Sequence, residues 1–266
     1  MDLRDEINRI VDEGYNEANA EARLCQDIVL KAISESTLKR NVTIKGGVVM
    51  RNLSGSVRRA TQDLDLDFIK YSVSDESIRN FISKLNGTEN LMVQMCEPIK
   101  ELNHQDYDGK RVLVKITDGT GYSINTKIDI GVHKDLDIRQ EEYCFDICFQ
   151  EDGASLLMNS KEQIITEKVK SLLRFGTTNT RYKDAFDIYY LKNTARADVI
   201  KQYIEKYIYG DETLNVNSAN DVYNRLKNIL TNEAYISAVK RSKKNWIGVP
   251  VEQVLQENLL FFYELI

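Results

Sequence analysis

Two periods of hydrophobic and polar positions run along this chain, and the change from one to the other divides it. From Asp63 to Phe68 the residues alternate strictly, with Asp63, Asp65 and Asp67 on one side and Leu64, Leu66 and Phe68 on the other. That is the period of a half-buried strand. Val42-Thr43-Ile44, Leu91 to Cys96 and Val112 to Ile116 read as further strands. Asp118-Gly119-Thr120-Gly121 is turn chemistry that joins the last of these to a strand from Tyr122 to Val132. Residues 3–34 carry helical spacing through Ile7, Ile10, Val11, Leu24, Ile28 and Ala32, with a break expected near Asn19. Ser74 to Leu85 reads as a helix with Phe81, Ile82 and Leu85 inward. From residue 151 strands are expected to stop, and helices follow at 161–175, 181–192, 197–209, 218–230, 232–242 and 250–266. Asp152-Gly153-Ala154-Ser155 is the expected link. The pattern predicts a mixed α/β domain with N-terminal helices over residues 1–152 and a helical domain over 153–266.

Chemistry gathers around the acidic strand. Three carboxylates on one strand face repel one another. A bound cation is the usual remedy, and an oxygen-rich set favours magnesium, manganese or calcium. The plainer alternative is a solvated face. Just before it, Gly46-Gly47 joins a short strand to a short helix, and glycines at a helix start let backbone N–H groups approach phosphate. Asp129 lies between Ile128 and Ile130 on a strand expected to be central; it is either solvent-facing or there for a reason. Lys168 shares an apolar helical stripe with Ile164, Ile165, Leu172 and Leu173, so it must snorkel or meet an anion. Asp184 and Asp187 share a face with Ile188 and Leu191, as an internal salt bridge or as part of a site.

Composition narrows the partners. The chain has 266 residues, 42% hydrophobic, and a net charge of −5. No global basic field draws it to nucleic acid, so an RNA contact needs a local patch. Candidates are Arg58-Arg59, the group Arg174, Arg181 and Lys183, and Lys240 to Lys244 with Trp246 for stacking. Cys25, Cys96, Cys144 and Cys148 show no metal spacing and read as reduced core thiols of a cytosolic protein. His104 and His133 look incidental, Asp135 and Asp137 read as surface charge, and no Ser-His-Asp or Cys-His set competes. The start, Met1 to Glu6, is too charged for a secretion signal, and no apolar run approaches the ~20 residues of a membrane span. The apolar tail, Leu259 to Ile266, reads as a helix docked on the core.

Gly46-Gly47, a helix with Arg51, the loop Arg59-Ala60-Thr61 and Asp63-Leu64-Asp65 resemble the AbiEii/AbiGii toxin nucleotidyltransferases of the DNA polymerase beta-like superfamily. The resemblance resumes in Glu167-Lys168 and in Arg181-Tyr182-Lys183-Asp184-Ala185-Phe186-Asp187-Ile188-Tyr189, covering roughly residues 40–192. It implies an α/β fold: a mixed-sheet polymerase beta-like nucleotidyltransferase core followed by a C-terminal helical bundle. It implies transfer of a nucleotidyl group from an NTP to an acceptor hydroxyl with release of pyrophosphate. Asp63, Asp65 and Asp129 would hold Mg2+ (or Mn2+), with Asp129 on the acceptor side, and with Lys168, Asp184 and Asp187 would form the catalytic group. Gly46, Gly47, Arg51, Thr61, Lys168 and Arg181 would hold the nucleotide. Asp67 is a further ligand or merely a neighbour. Where the family often carries Thr or Ser after the glycines, this chain has Val48, and Ser54 or Ser56 would have to substitute. The implied role is the cytoplasmic toxin of a toxin–antitoxin or phage abortive-infection pair, with an RNA acceptor such as tRNA and a cognate antitoxin. A small-molecule or protein acceptor, or a nucleotide-binding regulator that no longer catalyses, are the alternatives.

Overall fold

A computed structural model describes residues 1–102, 109–133, 138 and 140–265. His104, Asp135, Asp137 and Ile266 lie outside the described residues. The contacts divide the chain into Met1–Asn159 and Ser160–Ile266.

The first unit is a seven-stranded sheet with helices. Its elements are α1 (Leu3–Asp12), α2 (Glu17–Glu35), β1 (Val42–Lys45), α3 (Gly46–Ser54), β2 (Asp63–Phe68), α4 (Asp75–Ser83), β3 (Met92–Leu102), β4 (Gly109–Thr117), β5 (Ser123–Val132), β6 (Glu141–Phe145) and β7 (Ala154–Met158). The sheet order is β3-β4-β5-β2-β1-β7-β6. β2 runs parallel to β5 and β1 parallel to β7, and the other neighbours are antiparallel. The turn Asp118–Gly121 sets the register of β4 against β5. The Asp118 carboxylate accepts from the Thr120 and Tyr122 backbone N–H groups, and Gly121 takes a positive φ of 88°.

One face of this sheet is apolar. Leu64, Leu66, Phe68, Val112, Val114, Ile116, Ile128 and Ile130 are all fully buried. α2 packs on β5 and β7, and α4 on β3. The period of two then forces Asp63, Asp65, Asp67 and Asp129 onto the other face.

Three expectations are corrected here. The helical break falls at Gly14 (φ 101°), not near Asn19, because Asn16 caps α2 by accepting from the Asn19 N–H. Strands do not stop at residue 151: the supposed link runs into β7, whose apolar Leu156 and Met158 are buried on the core side. Of the four cysteines only Cys25 and Cys148 are buried; Cys96 is half-buried and Cys144 exposed. Burial raises the thiol pKa of both core cysteines, so they are poor nucleophiles.

The second unit is helical: α5 (Lys161–Phe175), α6 (Lys183–Leu191), α7 (Ala197–Tyr207), α8 (Ala219–Leu230), α9 (Glu233–Arg241) and α10 (Val251–Leu265). Ser160, Ser218 and Asn232 cap α5, α8 and α9 through their side chains. α5 packs against α6, α7 and α8, and α10 against α6, α8 and α9. Phe262 and Leu265 of α10 are buried while Tyr263 is exposed, the amphipathic pattern of a docked helix. Among the described residues no helix is long and apolar enough to cross a membrane.

Candidate active site

β1 runs directly into α3, and the two glycines are its first residues. Gly46 has φ +67°, and a Cβ there would stand 2.2 Å from Asp65 Oδ2. A Cβ on Gly47 would stand 2.4 Å from Thr61 Oγ1. The glycines thus let the helix start press against the Asp65 carboxylate and the Thr61 hydroxyl. Lys45, at the N-cap, contributes no side-chain cap, so the positive end of the helix is presented to whatever anion lies beside it. From α2, the Gln26 amide donates to the Thr61 carbonyl at 3.0 Å, pinning the loop ahead of β2.

Gly46→Ala is therefore expected to abolish transfer and to cost at least ~1–2 kcal/mol in urea unfolding, because both backbone strain and the carboxylate clash oppose it. Gly55→Ala is the control. Gly55 also has a positive φ, +60°, but a Cβ there meets nothing within 4 Å. It should show the strain without the loss of transfer. Equal activity of the two variants would remove the glycine start from the site.

The register gathers the carboxylates. Asp65 pairs with Lys45 of β1 on one side and with Asp129 of β5 on the other, while Asp63 pairs with Lys127. Neighbouring strands lie ~4.8 Å apart. Lys45 and Arg111 bring positive charge to this face. Lys45 Nζ lies 2.6 Å from Asp67 Oδ1. Arg111 donates two hydrogen bonds to Asp129, Nε to Oδ1 at 2.6 Å and Nη2 to Oδ2 at 2.7 Å. The Arg111 pKa is raised, first by the hydrogen bonds with Asp129 and also by the charges of Asp63 and Asp65. Its guanidinium is thus drawn to all three carboxylates.

Asp63 and Asp65 are half-buried, side by side, and supply the hard oxygen donors that a divalent cation prefers. Asp129 stands across the strand pair from Asp65, with both its oxygens hydrogen-bonded to Arg111. Among the described residues no three His, Cys, Asp or Glu side chains converge as a metal-binding set. Asp67 is committed to Lys45.

In the helical unit, Lys168 of α5 meets its anion inside the protein. Nζ lies 2.6 Å from Asp184 Oδ1 and 2.8 Å from Asp187 Oδ2, both on α6. Asp187 is fully buried and also accepts from Trp246 Nε1 at 3.0 Å. Two carboxylates thus flank one largely enclosed ammonium, a setting in which the charges hold one another in place.

Arg51 is buried and donates to Asp27 Oδ1 of α2 at 2.5 Å. Ser54 donates to the Arg51 carbonyl at the C-terminal end of α3, roughly 12 Å of helix from the glycines, and cannot replace the missing hydroxyl. Arg58 is exposed but Arg59 is buried. Arg181 is exposed, and Arg174 is bonded to Asp211 at 3.1 Å. Trp246 is buried and holds Asp187, so it is not a stacking platform. Lys240 is paired with Glu252. His133 is buried, its ring against Gln140.

Arg111 and Lys45 escaped the sequence reading. The signal for Arg111 was present: it and Asp129 stand at equal distances from Thr120, so a hairpin closed by that turn must pair them. Lys45 gave only its place before the glycines.

Comparison with curated proteins finds no match. The family model described as nucleotidyl transferase AbiEii toxin, type IV toxin–antitoxin system, matches residues 28–240. That span takes in the glycine start, the acidic strand, Asp129 and the Lys168 cluster. The chain therefore belongs to the AbiEii family of nucleotidyl transferase toxins of type IV toxin–antitoxin systems.

Proposed function

We propose that this enzyme moves a nucleotidyl group from an NTP to a hydroxyl of RNA, a tRNA being the expected acceptor, and that it uses a divalent cation. The single observation that carries this reading is the Asp65 carboxylate seated against the glycine start of α3 with Asp63 and Asp129 on the same sheet face. A triphosphate needs both kinds of group: positive helix-end N–H groups for its oxygens and carboxylates for its counter-ion. Asp63 and Asp65 are the residues that would hold Mg2+ or Mn2+, which neutralises triphosphate charge when bound.

The chain's own residues do the rest. The N–H groups at Gly46 and Gly47 hold phosphate oxygens, and Thr61 Oγ1 stands beside them. Arg111 orients Asp129 through two hydrogen bonds, and Asp129 takes the proton of the acceptor hydroxyl. The hydroxyl oxygen forms a bond to the α-phosphorus, the bond to the β-phosphate oxygen breaks, and pyrophosphate leaves. We assign Lys168 to nucleotide phosphate, with Asp184 and Asp187 fixing its ammonium. Catalysis here is positioning and charge neutralisation, not covalent intermediates. In the cell the acceptor would be modified in the cytoplasm, as the toxin arm of a phage-defence pair restrained by its antitoxin.

The test is incubation with each α-labelled NTP, MgCl2 and total RNA, with EDTA as control. Label in RNA that EDTA abolishes supports the reading. Label in protein or a small molecule moves the acceptor to that class, and saturable NTP binding without transfer makes the chain a nucleotide-binding regulator.

A further inference from the structure

The carboxylate face continues sideways into a surface of the opposite character. On the same side of the sheet, β5 presents Lys127 and Asn125, β4 presents Arg111, Leu113 and Lys115, and β3 presents Met92 and Gln94. The register couples them directly, with Asp63 beside Lys127, Lys127 beside Leu113, and Asn125 beside Lys115, which faces Gln94. β3 also brings Lys100 opposite Arg111. This face is open: Leu113 is 40% and Met92 47% exposed, and Lys100 and Lys127 are exposed as well. Among the described residues no ion pair or side-chain hydrogen bond engages Lys100, Lys115 or Lys127. By contrast Lys110, on the helix side of β4, is paired with Asp75 and Glu101.

We propose that this face of β5, β4 and β3 is the platform for an unpaired end of the RNA acceptor, with its phosphates on Lys127, Lys115 and Lys100 and its bases against Leu113 and Met92. The proposal rests on the RNA reading above. Charge complementarity supports it, because unpaired lysines in an acidic protein mark a local anion surface. Continuity supports it too. From β2 to β3 the platform spans three strand spacings, ~14 Å, enough for a short single strand whose terminal hydroxyl reaches Asp129 and Asp65. Lysines interleaved with apolar side chains suit a backbone tracked by charge and bases laid on a hydrophobic surface. The patches expected from the sequence are poorer: Arg59 and Trp246 are buried and Arg174 is bonded to Asp211.

The test is Lys115→Gln/Lys127→Gln, read by anisotropy of a labelled mixed-sequence single-stranded RNA of twelve nucleotides across a salt series. Both side chains reach solvent, so the fold should persist, as circular dichroism would verify. The expected result is an RNA affinity lower by about tenfold or more, a salt slope shallower by about two, and unchanged NTP affinity. Lys115→Arg/Lys127→Arg should bind like wild type. If wild type binds RNA and the glutamine variant binds it equally well with the same slope, the platform is wrong while the RNA acceptor stands. If wild type binds NTP but neither binds nor labels RNA, the acceptor reading itself has failed and takes the platform with it. Polyglutamate binding as tightly as RNA, and lost in the same variant, would make an acidic protein the occupant and overturn the proposal.

Discussion

Asp65→Asn is expected to lower transfer by about a thousandfold or more while leaving the fold at least as stable as wild type. A loss of that size corresponds to ~4 kcal/mol of transition-state stabilisation, the scale of removing one charge-stabilising group. Stability should not fall because Asp63, Asp65, Asp67 and Asp129 crowd four carboxylates onto one sheet face. Removing one negative charge relieves repulsion. Asp63→Asn should behave alike.

Asp67→Asn gives the opposite signature. It removes the carboxylate that stands 2.6 Å from Nζ of Lys45, a lysine whose side chain is only 13% exposed. The cost should be ~1–3 kcal/mol in denaturant with much of the transfer activity retained. Turnover in the labelled-NTP assay and urea midpoints on the three variants check this. Near-normal turnover of Asp65→Asn with magnesium would show that the acidic strand does not hold the reacting nucleotide.

Lys168→Met should abolish activity, but its first effect is on the fold. It would strip the ammonium from Asp184 and Asp187, and Asp187 is fully buried. Removing one partner of a buried ion cluster costs ~3–5 kcal/mol, since the carboxylates lose the ammonium beside them where water is scarce. A dead single variant is therefore uninformative. The informative protein is Lys168→Met/Asp184→Asn/Asp187→Asn. It removes the uncompensated charges and keeps an oxygen at position 187 for Trp246 Nε1, so most of the lost stability should return. Transfer should stay lost, because a charged hydrogen bond to phosphate contributes ~1.5–3 kcal/mol that methionine cannot supply. Recovery of both stability and NTP affinity would reduce Lys168 to a structural ion.

Much of this was legible along the chain because it is local. The alternation of Asp63 to Phe68 needs only the strand period, the glycine start needs only the steric freedom of two residues, and the six C-terminal helices announce themselves by spacing. The exceptions are local signals outweighed by others: Gly14 beats Asn19 as a helix break because Asn16 is the better cap, and β7 was hidden behind turn-like residues.

What the sequence by itself determined, then, is that carboxylates line one face of a strand that follows a glycine-opened helix, and that a lysine and two aspartates lie on inward helical faces. Only the tertiary structure decided who meets whom. That Asp129 stands beside Asp65 follows from the parallel pairing of β2 with β5, strands separated in sequence by two others, and no periodicity specifies such a register. That Arg111 holds Asp129, that Arg51 turns inward to Asp27, and that Trp246 is buried on Asp187 are likewise choices among distant partners. The physical reason is that a cation or an indole N–H is satisfied by whichever buried acceptor packing brings within ~3 Å, and packing is a property of the whole unit, not of the neighbours in sequence.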